Sequence, residues 1–208
     1  MTDVLYSSAF ITAHAAKYML NSARIRAMLA APTVQAVLLI LADCGYEVRT
    51  MRAVIDDEII DTERQKTLDT FLHLCGDAAL AACIKAKYDF SMMQKDRNTT
   101  YQQHEKELFD TITQNLNLIK NKNIQNYLRT ELEFLEKGQK DFEKQDAVLY
   151  KLACIDKNNT DSLSPLFHWY ILKQTEFKVV KAILMGKRFE FSREVIMENL
   201  RGLHERFT

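Results

Sequence analysis

The sequence predicts an all-α protein built from helical hairpins and bundled helices, and two observations carry that prediction. Only five Gly and two Pro occur among 208 residues, far below the average of roughly 12% combined, so there is little material for the tight turns of a sheet. Apolar residues make up 47% of the chain, and in segment after segment they recur every three or four positions, as on one face of a helix. A chain of this length can bury a substantial core as one domain or two small ones. The expected division is an N-terminal helical part, 1–95, and a C-terminal helical part with a long hairpin, 96–208; one continuous domain is the other arrangement.

Residues 3–30 read as one helix, with Leu5, Ala9, Ala13 and Ala16 at helical spacing. Pro32 and Thr33 restart the chain into a second helix that stops at Gly45, with Val34, Val37, Leu38 and Leu41 as its buried stripe. Thr50–Cys75 reads as helix and carries an acidic cluster, Asp56, Asp57, Glu58 and Asp61, which fits a solvated face or an acidic docking surface. Gly76 breaks it, and Asp77 caps the next helix, which ends on Lys87-Tyr88-Asp89-Phe90. Polar Lys95–Thr100 is the expected linker. Thr100–Lys120 and Asn123–Lys137 then form a hairpin turning at Asn121-Lys122-Asn123, with Leu108, Phe109, Ile112, Leu116 and Ile119 facing one way. Gly138 ends the second arm, Gln139–Ile155 is a further helix, and Asp156–Leu163 is a loop by composition.

The rest of the chain is organised around Ser164–Gly202. Ser164 is suited to N-cap a helix, Pro165 to its first position, and Gly186 to the left-handed residue that stops it, with Lys181 and Lys187 near the negative end. Ser192 caps a shorter helix whose apolar residues are Val195, Ile196, Leu200 and Leu203. At 100° per residue, Trp169, Leu172, Val180 and Ile183 share one stripe, and Glu176 lies in its middle. Gln174, Lys178 and Lys181 take the opposite side. A buried carboxylate is costly unless paired, so Glu176 is expected to be bonded to a cation or to backbone N–H groups; Lys173 is the local candidate cation, and Arg24 or Arg26 the distant one.

These residues carry a family resemblance. Pro165, Leu166, Tyr170, Leu172, Lys173, Glu176, Lys181, Ile183, Leu184, Gly186, Lys187, Ser192 and Glu194 fall in a distinctive order and spacing. That pattern resembles the C-terminal end of the C-type subunit of the archaeal and bacterial V-type ATPase, the equivalent of the d-type subunit in eukaryotes. Phe177 replaces the family's Ile, and Val179 a common Asn. At the N-terminus two registers compete. Ser22-Ala23-Arg24-Ile25-Arg26-Ala27 matches the family's basic run by type, whereas spacing favours Tyr6, Ala9, Met19-Leu20 and Gly45-Tyr46. The second leaves Thr12 where the family has Arg. Lys87-Tyr88-Asp89 resembles a further family run, with Met92 and Gln94 departing from it, and Tyr88-Asp89-Phe90 echoes Thr175-Glu176-Phe177. The resemblance implies a shortened member of a helical fold whose missing length is in the middle. Its implied role is non-catalytic: linking the central rotor stalk to the membrane ring and transmitting torque for ATP-driven proton or sodium transport. A helical adaptor descended from the family and detached from the motor is the alternative.

No motif for chemistry competes with that reading. The five histidines form neither His-Glu-x-x-His nor a Glu-x-x-His pair, His73 and Cys75 point in different directions on a helix, and no phosphate loop or nucleophile elbow occurs. His168, on a helix rim, reads as a packed or capping residue. No catalytic residue, metal site or cofactor is therefore expected. Cys44, Cys75, Cys83 and Cys154 lack a Cys-x-x-Cys pair and read as reduced core thiols. Lys plus Arg equals Asp plus Glu at 28 each, which argues against nucleic acid and against an anionic membrane surface as partners. With no leader pattern, and with Ala27–Ala42 interrupted by Pro32, Thr33 and Gln35, the expectation is a cytoplasmic chain without direct membrane insertion, peripheral to the membrane through the complex. The residues singled out for structure or partner contact are Glu176, Lys173, Lys181, Tyr170, Gly186, Lys187, Asp89, Tyr88 and Tyr46.

Overall fold

Thr33 and Asn21 show how local chemistry sets the first elements. The Asn21 side-chain oxygen accepts from the Arg24 N–H at 2.9 Å and starts α1, Ser22–Ala30. The Thr33 hydroxyl accepts from the Ala36 N–H at 3.2 Å and starts α2, Val34–Asp43. In the computed structural model of the chain, the described residues are 6–7, 9–11, 13, 17–48, 56–93, 101–136, 142–200 and 202–207. After α2 come α3 (Asp56–Leu74), α4 (Ala78–Met93), α5 (Tyr101–Leu116), α6 (Lys122–Glu136), α7 (Phe142–Ala153), α8 (Ser164–Arg188), α9 (Arg193–Leu200) and a 3-10 helix, Leu203–Phe207. The fold is all-α, with no strand among the described residues.

Two compact units divide the chain: residues 1–11 with 68–168, and residues 12–67 with 169–208. Each draws on both sides of residue 95. The expected linker, 95–100, lies outside the described residues, as do Thr50 and Gly138.

In the first unit α4 packs along α5, and α6 against α7. Leu80, Cys83, Ile84, Ile112, Ile124 and Leu128 are among its fully buried side chains. Asp77 caps α4 as expected, its Oδ1 accepting from the Ala79 and Leu80 N–H groups at 3.1 Å. Its second oxygen accepts from the Lys120 N–H at 3.1 Å, so one buried carboxylate ties the start of α4 to the turn between α5 and α6. Asn121 caps α6 through bonds from the Asn123 and Ile124 N–H groups. The Gln125 amide donates to the Leu116 carbonyl at 2.8 Å and covers the end of α5, which closes four residues before the expected Lys120.

The second unit centres on the 169–188 part of α8, with Phe177, Val179, Val180, Ile183 and Leu184 fully buried. Ile25, Met28, Val37, Leu41, Ile196 and Leu200 complete its core, and the 3-10 helix packs on α1. Three expectations are corrected here. The helix read over 3–30 is broken at Met19–Asn21, because the Asn21 cap begins a new helix. The Ser164 hydroxyl accepts from the Asn121 side chain at 3.0 Å rather than from the first turn of α8. Gly186 does not stop α8. It lies inside the helix, where a Cβ would stand 2.4 Å from Ile196 Cγ1, so glycine lets α9 approach. The left-handed stop is Glu190, φ 56°: the Phe191 N–H bonds back to the Gly186 carbonyl at 2.8 Å and the Glu190 N–H to Lys187 at 3.4 Å. Ser192 then caps α9, accepting from the Val195 N–H at 3.4 Å.

Candidate functional site: a buried carboxylate in the second unit

The apolar stripe of α8 carries Glu176 into the core, where it is 0% exposed. A carboxylate there needs donors, and the fold supplies three. Lys173, one turn earlier on α8, donates from Nζ to Oε1 at 2.7 Å. The Tyr46 hydroxyl donates to the same oxygen at 2.7 Å. The Leu20 backbone N–H donates to Oε2 at 2.9 Å. The lysine is 4% exposed and the tyrosine 4%, so the whole group is desolvated.

Each donor is placed by a local device. The Leu20 amide lies where the chain leaves helical geometry, after Tyr18 and before the Asn21 cap, and it turns to the carboxylate there. Arg24 holds that break from the other side, its Nη1 donating to the Met19 carbonyl at 2.8 Å and the Lys17 carbonyl at 3.3 Å. Arg24 therefore serves backbone carbonyls and is not the distant cation expected for Glu176. Tyr46 follows Gly45, whose φ of +85° requires glycine, and whose missing Cβ leaves room for the Tyr18 ring that would otherwise lie 2.9 Å away. The Lys173 ammonium also lies 5.7 Å from the Tyr46 ring centroid. Burial first, then the charge and hydrogen bond of Glu176, push the Tyr46 phenol well above its usual value of about 10. It stays a neutral donor across the physiological range.

Other residues singled out in the sequence occupy different roles. Lys187 donates to the Leu29 carbonyl at 2.8 Å, placing a cation at the negative end of α1. Tyr170 is buried and Lys181 half-buried on α8. Asp89 and Tyr88 belong to the first unit, where Asp89 forms a surface pair with Lys85 at 2.6 Å. His168 is packed, as its rim position suggested: its Nε2 lies 3.6 Å from Cys154 Sγ, and burial, helped by Lys157, lowers its pKa to about 4.

The Glu176 group is a buried clamp that joins three stretches of the second unit. Its oxygens are engaged by fixed donors and no face of the carboxylate meets solvent. No cluster of three metal-ligating side chains occurs among the described residues. Sequence reasoning finds Glu176 and Lys173 from helical periodicity. It expects a cation or backbone N–H groups as donors without naming the Leu20 amide, which no side-chain pattern can signal, and it singles out Tyr46 without assigning it to Glu176. No family model, curated protein or solved structure matches the chain.

Proposed function

We propose that this chain is a non-catalytic linking subunit of a V-type rotary ATPase, joining the central stalk to the membrane ring and carrying torque for proton or sodium transport. The observation that carries this reading is the composition of the Glu176 clamp. The resemblance picks out Met19-Leu20, Gly45-Tyr46 and Lys173 with Glu176, three stretches far apart in sequence. Leu20, Tyr46 and Lys173 are the three donors to that single carboxylate. The same pattern favours the register set by spacing over the one set by the basic run.

The physics suits the role. Transmitting torque calls for stiff elements fixed to one another without chemistry. Buried, mutually satisfied polar groups specify one arrangement of the segments they join. No helix among the described residues is long and apolar enough to cross a membrane, so on this reading the chain meets the ring at its surface. The test is reconstitution with the stalk subunits and membrane ring of the same organism's V-type ATPase. The chain is expected to co-migrate with both and to be needed for ATP-driven ion transport. A complex that assembles and pumps without it, leaving the chain free, would favour the detached adaptor.

A further inference from the structure

Cys154 and His168 face each other across the loop between α7 and α8. Cys154 directly follows the last residue of α7, and His168 opens the second turn of α8. The Cys154 N–H still bonds back to the Tyr150 carbonyl at 3.1 Å, so the end of α7 sets where the thiol stands. The Tyr150 ring lies 6.2 Å from the His168 ring and packs beside it. The two facing atoms, Cys154 Sγ and His168 Nε2, are 3.6 Å apart. Both residues are half-buried, and residues 155–161 of the intervening loop are exposed. The other thiols are placed differently. Cys44 and Cys83 are buried, and the Cys75 Sγ lies 3.4 Å from the Asp77 carbonyl.

A thiol and an imidazole this close can share a hydrogen bond, and their spacing also suits a metal ion. Zinc holds sulfur at about 2.3 Å and imidazole nitrogen at about 2.0–2.1 Å in tetrahedral geometry, which sets the two donor atoms about 3.6 Å apart. The pair already stands at that spacing, so neither helix has to move. A thiolate beside an imidazole favours zinc over magnesium or calcium, which take oxygen ligands. Burial keeps the imidazole uncharged near neutral pH, so with the ring hydrogen on Nδ1 the Nε2 lone pair faces the sulfur.

We propose that Cys154 and His168 form a two-ligand zinc site, completed by water, that staples the end of α7 to the start of α8. On binding, the thiol proton leaves to solvent, and the thiolate and Nε2 each donate a lone pair to the ion without change of oxidation state. The ion closes the 154–168 segment into a ring and stabilises the folded chain by binding it in preference to the unfolded one. The site is independent of the rotor role proposed above.

The test uses the full chain, stripped with a chelator and kept reduced with a phosphine. Zinc titrated in competition with a chromophoric chelator should bind at one ion per chain and raise the melting temperature. Cobalt in its place should show the charge-transfer band of a thiolate ligand. Cys154→Ser and His168→Gln should each weaken zinc binding at least about tenfold, since losing even a ligand's hydrogen-bond partner costs that much. Cys75→Ser should leave it unchanged. In the unsubstituted chain, zinc should slow alkylation of Cys154 by iodoacetamide, a readout that no folding defect of a variant can mimic. The site is overturned if the parent takes up no zinc, if cobalt shows no sulfur band, or if binding survives either substitution. One ion shared by two chains, or alkylation of Cys154 that zinc leaves unchanged, overturns it equally.

Discussion

Replacing Glu176 by Ala would remove the acceptor shared by three buried donors, and the size of the effect follows from their surroundings. The Lys173 side chain is 6% exposed and would become a buried cation without its carboxylate. Breaking such a pair from one side costs roughly 3–5 kcal/mol. The Tyr46 hydroxyl and Leu20 amide would each lose a bond as well, at about 1–3 kcal/mol for a donor left without an acceptor. These costs overlap, because a water molecule admitted to the vacated space could serve more than one donor. A net loss of about 5 kcal/mol is therefore expected, which is comparable with the whole stability of many domains. Glu176→Gln keeps the shape and one carbonyl, so Tyr46 and Lys173 can keep an acceptor while the amide group faces the Leu20 N–H. About 2–3 kcal/mol is expected there.

Trp169 makes the measurement local. It is the only tryptophan in the chain, it is buried, and it belongs to the same unit as Glu176. Urea unfolding followed by its fluorescence should show the midpoint falling in the order parent, Glu176→Gln, Glu176→Ala, at constant m-value. The double substitution Glu176→Leu with Lys173→Met strands no charge and should be more stable than Glu176→Ala alone. A Glu176→Ala protein that unfolds with the parent, or a double variant that is worse than the single, would refute the clamp.

Gly186→Ala would drive a methyl into Ile196, and a loss of about 1–3 kcal/mol is expected in the same urea assay. Glu190→Gly should act in the opposite direction, raising stability by roughly 1 kcal/mol because glycine takes φ 56° without strain. The pKa of His168 is lowered to about 4 in the folded chain against about 6.5 unfolded. The unfolded state therefore binds the extra proton first. The stability is fully present above about pH 6.5 and is lost as pH falls toward 4; His168→Asn should flatten that part of a stability-against-pH curve. Burial pushes the thiols of Cys75 and Cys83 up to about 11. Iodoacetamide at pH 7.5 should therefore alkylate both far more slowly in the native protein than in urea, as mass spectrometry of the labelled peptides would show.

What can be read from the sequence is local. The α-helical class follows from the shortage of breakers, and the Asp77, Thr33 and Ser192 caps follow from a polar side chain placed before an apolar run. Glu176 is visible as a carboxylate on a stripe with Trp169, Leu172, Val180 and Ile183, of which Leu172 is only half-buried. Gly186 misleads for an instructive reason. A glycine near a helix end serves either a left-handed φ or the close approach of a neighbour, and only the position of Ile196, ten residues on, decides between them. The left-handed position falls instead on Glu190, which looks like any solvated residue in a sequence. The break at Met19–Asn21 is hidden by the helix-forming residues on either side, though Asn21 carries the cap that makes it.

The Glu176 clamp shows why the remaining contacts are out of reach of the sequence. Its helical periodicity establishes that a charge is buried, and burial establishes that donors must exist; neither says where they come from. Lys173 is three residues away on the same helix and within reach of a local argument. Leu20 and Tyr46 are 156 and 130 residues away, so their bonds depend on which turns the fold brings back to α8. The cation expected from Arg24 or Arg26 is the wrong kind of donor for a physical reason. One lysine already balances the carboxylate, and a second buried cation would add desolvation cost without a second negative charge to offset it. Neutral donors, a phenol and an amide, complete the coordination at lower cost. The residues that resemblance marks at Met19-Leu20 and Gly45-Tyr46 thereby acquire a physical role. A helix break turns one N–H, a left-handed glycine sets one phenol, and both are directed at the same carboxylate.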